Sequence, residues 1–102
     1  MKKVIRDGKV AVLYSPGYGA GWYTWNKDYP ECVFDSELVV LVEQHEFSKV
    51  IELAEQKYGE GFYSGGAEDL QIEWLQEGTP FTIEEYDGSE SIRTDDDLKL
   101  IA

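Results

Sequence analysis

The sequence has very few of the residues on which most metal and catalytic sites depend. Among its 102 residues are one cysteine, Cys32, and one histidine, His45. This excludes an internal disulfide and a thiolate cage for zinc, and it nearly excludes a triad that needs a histidine and an independent cysteine nucleophile. We predict from this scarcity a protein of a reducing compartment, the cytoplasm, with no metal, no cofactor and no enzymatic activity.

Long apolar runs are scarce as well. The longest run, residues 38–42, has five residues, whereas a membrane span needs about 20. Near the amino terminus, Arg6 and Asp7 interrupt any apolar stretch, so a secretory signal peptide is not indicated. We accordingly expect no membrane association.

Basic residues are also scarce, and they are scarcest in the second half of the chain. Residues 1–57 contain nine acids and seven bases, whereas residues 58–97 contain twelve acids and one base, Arg93. With a net charge of −12, the chain repels nucleic acids and anionic membranes and attracts basic protein surfaces. Direct binding to nucleic acid is therefore not expected.

What is present indicates one ordered domain, residues 1–102, because a chain of this length has room for one core. Hydrophobic residues make up 42% and aromatic residues 14% of the sequence, which argues against disorder. Asp-Gly pairs at 7–8 and 87–88 favour tight hairpin turns, and the spacing of apolar residues from Phe47 to Tyr58 is typical of a helix. The predicted elements are strands at about 2–6 and 9–14, a helix begun by Asp35 or Ser36 and ending near 44, a helix capped by Ser48 and ending at Gly59, and strands at about 71–75, 81–86, 89–93 and 98–101. The order β-β-α-α-β-β-β-β predicts an α+β fold, an antiparallel sheet with two short helices packed on one face.

The long segment 15–34 combines glycines with aromatic residues and contains no predicted helix or strand. Such segments are usually functional or disordered, and the aromatic residues argue against disorder. Glycines let the backbone approach a ligand, and aromatic rings stack on bases and sugars. A phosphate loop fits poorly, because no helix opens after the glycines and no lysine follows in the required position. The alternative is that several of the rings simply fill the core. The candidate ligand-binding residues are Gly17, Tyr18, Gly19, Gly21, Trp22, Tyr23 and Trp25.

The acidic carboxyl-terminal half supplies the second candidate surface. Alternate residues of a strand share a face, so Glu73 and Glu84 on neighbouring strands would form a negative ladder. Adjacent carboxylates such as Glu84 and Glu85 point to opposite faces and make a poor glycosidase pair. The alternative is a surface that only keeps the protein in solution, although eleven uncompensated charges exceed what solubility requires. The candidate partner-binding residues are Glu68, Asp69, Glu73, Glu84, Glu85, Asp87, Glu90, Asp95, Asp96 and Asp97. This surface and the aromatic loop are expected to be separate.

Several segments resemble a group of small proteins encoded by phages and prophages. They are the run Val10–Leu13 with Ser15–Trp22, the hairpin Glu84–Ser91, and the segments Gly65–Leu70 and Glu77–Phe81. The resemblance covers most of the chain but carries no activity and no functional residue. It implies a phage or mobile-element origin and a bacterial host cytoplasm.

Two hypotheses follow for the function. In the first, the chain is a non-enzymatic accessory protein whose acidic face binds and blocks a basic host protein, one of host defence or of nucleic-acid binding, which makes it a candidate DNA mimic. In the second, the aromatic loop at residues 15–29 binds or sequesters a small, nucleotide-like ligand. Both leave the oligomeric state open, including a homo-oligomer.

Overall fold

A computed structural model describes residues 3–94 and 100–102, and these residues form an α+β fold. The predicted class and the order of strands and helices are confirmed. The strands are β1 (Ile5–Arg6), β2 (Lys9–Tyr14), β3 (Gln71–Gln76), β4 (Pro80–Tyr86), β5 (Ser89–Arg93) and β6 (Leu100–Ile101); the helices are α1 (Ser36–Glu43) and α2 (Phe47–Tyr58). Short 3-10 helices at Tyr23–Trp25, Pro30–Val33 and Ala67–Asp69 lie in the connections.

The strands divide between two antiparallel sheets instead of forming the single sheet expected. One sheet has the order β1-β2-β3 and the other the order β5-β4-β6. The division occurs at the turn between β3 and β4, whose residues bond to two different neighbours. The Glu77 N–H donates to the carbonyl of Gly8 at 2.9 Å, and the Gly78 N–H donates to the carbonyl of Ala102 at 2.8 Å. The chain thus leaves one sheet at Glu77 and enters the other at Pro80.

Strand β2 lies at the centre of the core. Its residues Val10, Ala11, Val12 and Leu13 are all fully buried, and since successive side chains point to opposite faces, both faces of this strand are covered. The helices α1 and α2 pack against each other, and α1 also contacts β3. Because both of its faces are buried, β2 is the strand around which the other elements pack.

The ends of the helices show where local chemistry decided the structure. Asp35 begins α1 as expected, accepting hydrogen bonds from the N–H groups of Glu37 and Leu38 at 3.0 and 3.1 Å, and Gly59 ends α2 with a φ of 84°. The prediction that Ser48 caps α2 is wrong. Ser48 is the second residue of the helix, and Glu46 precedes the helix without a side-chain cap.

Both Asp-Gly pairs form the predicted turns. Asp7 and Gly8 have φ values of 53° and 76°, and Asp87 and Gly88 have φ values of 52° and 85°. Residues with positive φ at both central positions match the twist of the flanking strands. The second of these turns forms the tip of the β4–β5 hairpin, which lies at the candidate site.

Candidate functional site

The β4–β5 hairpin packs directly against the glycine-rich loop, so the two surfaces expected to be separate are joined. The Gly19 N–H donates to the carbonyl of Asp87 at 2.8 Å, and the Glu90 N–H donates to the carbonyl of Ser15 at 2.8 Å. The Ser89 hydroxyl donates to the carbonyl of Pro16 at 2.6 Å. These bonds place the acidic hairpin tip beside the aromatic residues of the loop, and the expectation of two separable surfaces is wrong.

Gly88 permits this close approach. A Cβ atom at this position would collide with the backbone of Gly19 and Ala20, and the positive φ of Gly88 also disfavours other residues. The hairpin turn therefore requires glycine for two independent reasons. One is the shape of the turn, and the other is contact with the loop.

Glu90 is not a surface residue, which corrects its assignment to the partner-binding set. Its side chain is only 2% exposed. One carboxylate oxygen accepts from the Ser15 N–H at 2.8 Å, and the other accepts from the Trp22 N–H at 2.8 Å, the Thr24 N–H at 2.9 Å and the Thr24 hydroxyl at 2.7 Å. The four donors are all uncharged. Glu90 thus satisfies loop backbone groups that would otherwise be buried without partners.

The same contacts bear on the proposal that the loop binds a phosphate. Backbone N–H groups that converge on one point form an anion site, and here the N–H groups of Ser15, Trp22 and Thr24 converge on the chain's own carboxylate, Glu90. The anion site that the loop forms is therefore already occupied by the carboxylate of Glu90.

The aromatic candidates of the loop divide between core and surface. Trp22 is fully buried, its indole N–H donates to the carbonyl of Cys32 at 2.9 Å, and its ring meets Phe62 edge to face at 5.0 Å. Its assignment to a ligand site is corrected, because a ring enclosed on all sides cannot stack on a ligand. Tyr23 is partly buried and packs against the core. Of the candidate rings, those of Tyr18 and Trp25 are the exposed ones.

Trp25 is held in place while part of its ring stays in contact with solvent. It is 41% exposed, and one face stacks on Tyr63 with ring centroids 5.1 Å apart and an angle of 13° between the planes. The 3-10 helix that carries Trp25 is anchored by the bonds from Thr24 to Glu90. Tyr63 was not among the predicted site residues. No local pattern could have indicated it, because only the fold brings it to Trp25.

Residues of the loop and of the hairpin together line one open groove, which we call the hairpin groove. Its volume is about 410 Å³. Glu85 is oriented there by the Gly88 N–H, which donates to its carboxylate at 2.7 Å. The residues that line the groove are Tyr18, Gly19, Trp25, Glu85, Asp87 and Gly88. Residues predicted for two different surfaces therefore meet in one place.

A second groove, which we call the Glu68 groove, lies beside the preceding part of the same loop. It also has a volume of about 410 Å³. The Asp69 side chain lies against Gly17, at a position that a Cβ atom there would occupy, so this glycine serves packing. The lining residues are Pro16, Gly17, His45, Phe47, Glu68, Asp69, Leu70 and Gln71. Within the described part of the chain, neither groove is lined by a lysine or an arginine.

The remaining acidic candidates do not form the expected ladder. Glu73 lies on β3, opposite Val12 of the first sheet, whereas Glu84 lies opposite Ser91 in the second sheet. Glu84 also pairs with Arg93 at 3.2 Å. The ladder is wrong because β3 and β4 belong to different sheets. Asp95, Asp96 and Asp97 lie outside the described residues.

Cys32 follows Glu31 in the sequence, and its surroundings in the fold favour the protonated thiol. It is fully buried, and its burial, followed by the negative charges of Glu90, Glu31 and Asp35, raises the pKa of the thiol. Since the thiolate is the reactive form, this cysteine is unsuited to nucleophilic chemistry.

Metal-binding and membrane-spanning features were also sought within residues 3–94 and 100–102. Among them, no group of three or more His, Cys, Asp or Glu side chains is arranged to hold a metal ion. None of the helices in that part of the chain combines the length and the apolar character that crossing a membrane requires.

Comparison of the chain with protein-family models, with curated proteins and with solved structures found no match. The function is therefore inferred from the chemistry of the two grooves.

Proposed function

We propose that this chain is a non-enzymatic protein-binding domain that captures a basic segment of a partner protein across residues 16–19. The observation that carries the proposal is the meeting of exposed aromatic rings and carboxylates around the hairpin groove. The partner's lysine and arginine side chains would be the complement of that lining.

The positions of the carboxylates support this assignment more specifically than the net charge of the chain does. The carboxylates of Glu85 and Asp87 line the hairpin groove, and those of Glu68 and Asp69 line the Glu68 groove. All four residues are exposed, and the loop between the grooves contacts both acidic elements, since Gly17 meets Asp69 and Gly19 bonds to Asp87. A basic segment lying across the loop would reach both pairs.

The alternative, a nucleotide-like ligand bound by the loop, has less support. Glu90 occupies the converging N–H groups of the loop, and Trp22 is buried. The carboxylates that line both grooves would also repel a phosphate. A phage or mobile-element origin, and a host partner in defence or in nucleic-acid binding, remain predictions that rest on the resemblance.

A matched pair of neutralised variants tests the proposal. In the groove variant, Glu68→Gln, Asp69→Asn, Glu85→Gln and Asp87→Asn remove the four lining charges. In the control variant, four exposed carboxylates outside both grooves are neutralised instead, with the substitutions Asp28→Asn, Glu52→Gln, Glu60→Gln and Glu77→Gln. The two variants have the same net charge, so they differ only in where the charge was removed.

Affinity for a short peptide of alternating arginine and serine is measured by fluorescence anisotropy at physiological salt. Exposed ion pairs are each worth roughly 0.2–1 kcal/mol, so we expect the groove variant to bind about tenfold to a hundredfold more weakly. The control variant should bind within about threefold of the original chain. Equal losses in the two variants would show attraction to the net charge alone and would contradict the proposal, as would the absence of binding by the original chain.

A further inference from the structure

We infer that the hairpin groove takes a single arginine side chain of the partner, with the guanidinium stacked on Trp25 and bonded to Glu85 and Asp87. This inference rests on the proposed function and goes further, because it names the residue that the groove selects and the ring that selects it.

The ring and one carboxylate that would contact the guanidinium are held in place by other residues of the chain. Tyr63 stacks on one face of Trp25, and Trp25 lines the groove whereas Tyr63 does not. The stacking on Tyr63 and the anchoring of Thr24 by Glu90 fix the ring before any ligand arrives. Glu85 is likewise held in place by its bond from Gly88. Fixing these groups in advance reduces the entropy lost on binding.

The chemistry of the lining favours arginine over lysine. A guanidinium is planar and can stack on an indole while its N–H groups donate in a fork to carboxylates. An ammonium group is a compact, strongly hydrated charge that satisfies one of these contacts well but not both. Tyr18, which is 76% exposed, supplies a second ring to the groove lining. The volume of about 410 Å³ falls within the roughly 300–1,000 Å³ of ligand pockets and leaves room for water beside the side chain.

Three ligands and two variants test the inference. The ligands are a serine-glycine peptide with one central arginine, the same peptide with lysine in its place, and arginine amide alone. The variants are Trp25→Leu, which keeps an apolar side chain but removes the ring, and Tyr86→Leu. Tyr86 is a suitable control because it is 77% exposed on the same hairpin but does not line the groove.

The original chain should prefer the arginine peptide over the lysine peptide by about threefold to tenfold. Trp25→Leu should weaken binding of the arginine peptide by about threefold to thirtyfold and abolish the preference, while Tyr86→Leu leaves both unchanged. Thermal unfolding checks that each variant is folded. If Trp25→Leu does not fold, the indole N–H signals of the original chain serve instead, and that of Trp25 should shift on titration while that of buried Trp22 does not.

Each contrary result has a distinct meaning. If Trp25→Leu retains both affinity and preference while the groove variant with four neutralised carboxylates loses binding, the arginine site is wrong and the protein-binding function stands. If arginine amide binds as tightly as the peptide, the ligand is a small guanidinium compound and the assignment to a partner's side chain is wrong. If no peptide binds at any salt concentration, both the site and the proposed function are wrong.

Discussion

Glu90 is the residue on which the shape of the site depends most. Four uncharged donors surround its buried carboxylate, so one side chain from the hairpin is bonded to the loop at Ser15, Trp22 and Thr24. An acidic residue amid many other acids gives no local sign of this role. Its neighbours in sequence, Ser89 and Ser91, are partly or fully exposed.

The substitution Glu90→Gln tests this role. An amide keeps the size of the side chain but replaces one acceptor oxygen with a donor group, which would face N–H groups of the loop. We expect the free energy of unfolding to fall by about 2–4 kcal/mol, because hydrogen bonds to a charged group are lost and buried donors are left unpaired. Urea denaturation measures the change. Glu77→Gln, at an exposed turn position, is the control and should change stability by less than about 0.5 kcal/mol. A loss no larger for Glu90→Gln than for Glu77→Gln would show that the carboxylate does not organise the loop.

Among the elements, the two Asp-Gly hairpin turns form a natural comparison. Both have positive φ at both central residues, but a Cβ atom at Gly8 would meet nothing within 4 Å, whereas one at Gly88 would meet the loop backbone. The turns therefore separate the conformational requirement for glycine from the requirement for close contact.

Replacing each glycine with alanine should give different costs. Gly8→Ala introduces only the strain of positive φ, about 1 kcal/mol. Gly88→Ala adds a clash with backbone that cannot rotate away, which should cost about 1–3 kcal/mol more and displace the hairpin from the loop. Thermal unfolding gives the stabilities, and binding of the arginine peptide reports whether the hairpin groove is intact. Equal destabilisation of the two variants would contradict the packing of hairpin against loop.

The helices are joined by a network around Asp35, which links the start of α1 to the end of α2. Its carboxylate pairs with Lys57 at 3.0 Å and accepts from the Tyr58 hydroxyl at 2.8 Å. Burial acts to raise the pKa of Asp35, but the hydrogen bonds from Lys57, Tyr58 and the Leu38 N–H outweigh it and lower the pKa below its ordinary value of 3.8.

Acid should therefore weaken the helix pair through this residue. A carboxylate whose pKa is lower in the folded chain contributes stability above its unfolded pKa and loses it as the pH falls through the folded value. The contribution should be complete at neutral pH and should decline below about pH 4.

Asp35→Asn should cost about 1–3 kcal/mol at pH 7 and less at pH 3. The measurement is urea denaturation at both pH values. Asp28→Asn, at an exposed position, should change little at either pH, and a cost of Asp35→Asn that stays constant with pH would contradict the network.

For the whole molecule, the dominant physical property is a net charge of −12 on a compact chain. Like charges held together destabilise the folded state, because unfolding moves them apart. Added salt screens this repulsion over a Debye length of about 10 Å at 0.1 M.

We therefore expect sodium chloride to stabilise the protein between about 20 mM and 0.5 M. The melting temperature should rise with salt, and the rise should be smaller for Glu77→Lys, which reduces the net negative charge by two. Calorimetry at neutral pH measures both. A melting temperature that is constant or falls with salt would show that attractive ion pairs, not repulsion, dominate the electrostatics of the fold.

The sequence predicted structural features that depend on neighbouring residues better than those that depend on residues far apart in the chain. The Asp-Gly turns and the Gly59 helix end result from contacts within a few residues and were predicted, as was a cap at Asp35 or Ser36, of which the structure uses Asp35. The cap expected at Ser48 was wrong, although it too is a local feature. The single sheet and the ladder of Glu73 with Glu84 were wrong because strand pairing depends on partners far apart in sequence. In the candidate site, Tyr18, Trp25, Glu85 and Asp87 were identified as residues but assigned to different surfaces.

The sequence by itself determined the element order, the hairpin turns and the concentration of negative charge in the second half, since composition and local backbone preferences carry that information. Only the tertiary structure decided that the hairpin closes on the loop, that Glu90 and Trp22 are buried, and that Trp25 stacks on Tyr63. The physical reason is that burial and stacking are contacts between segments that no local pattern relates. The acidic half and the aromatic loop thus became one groove only when the chain folded.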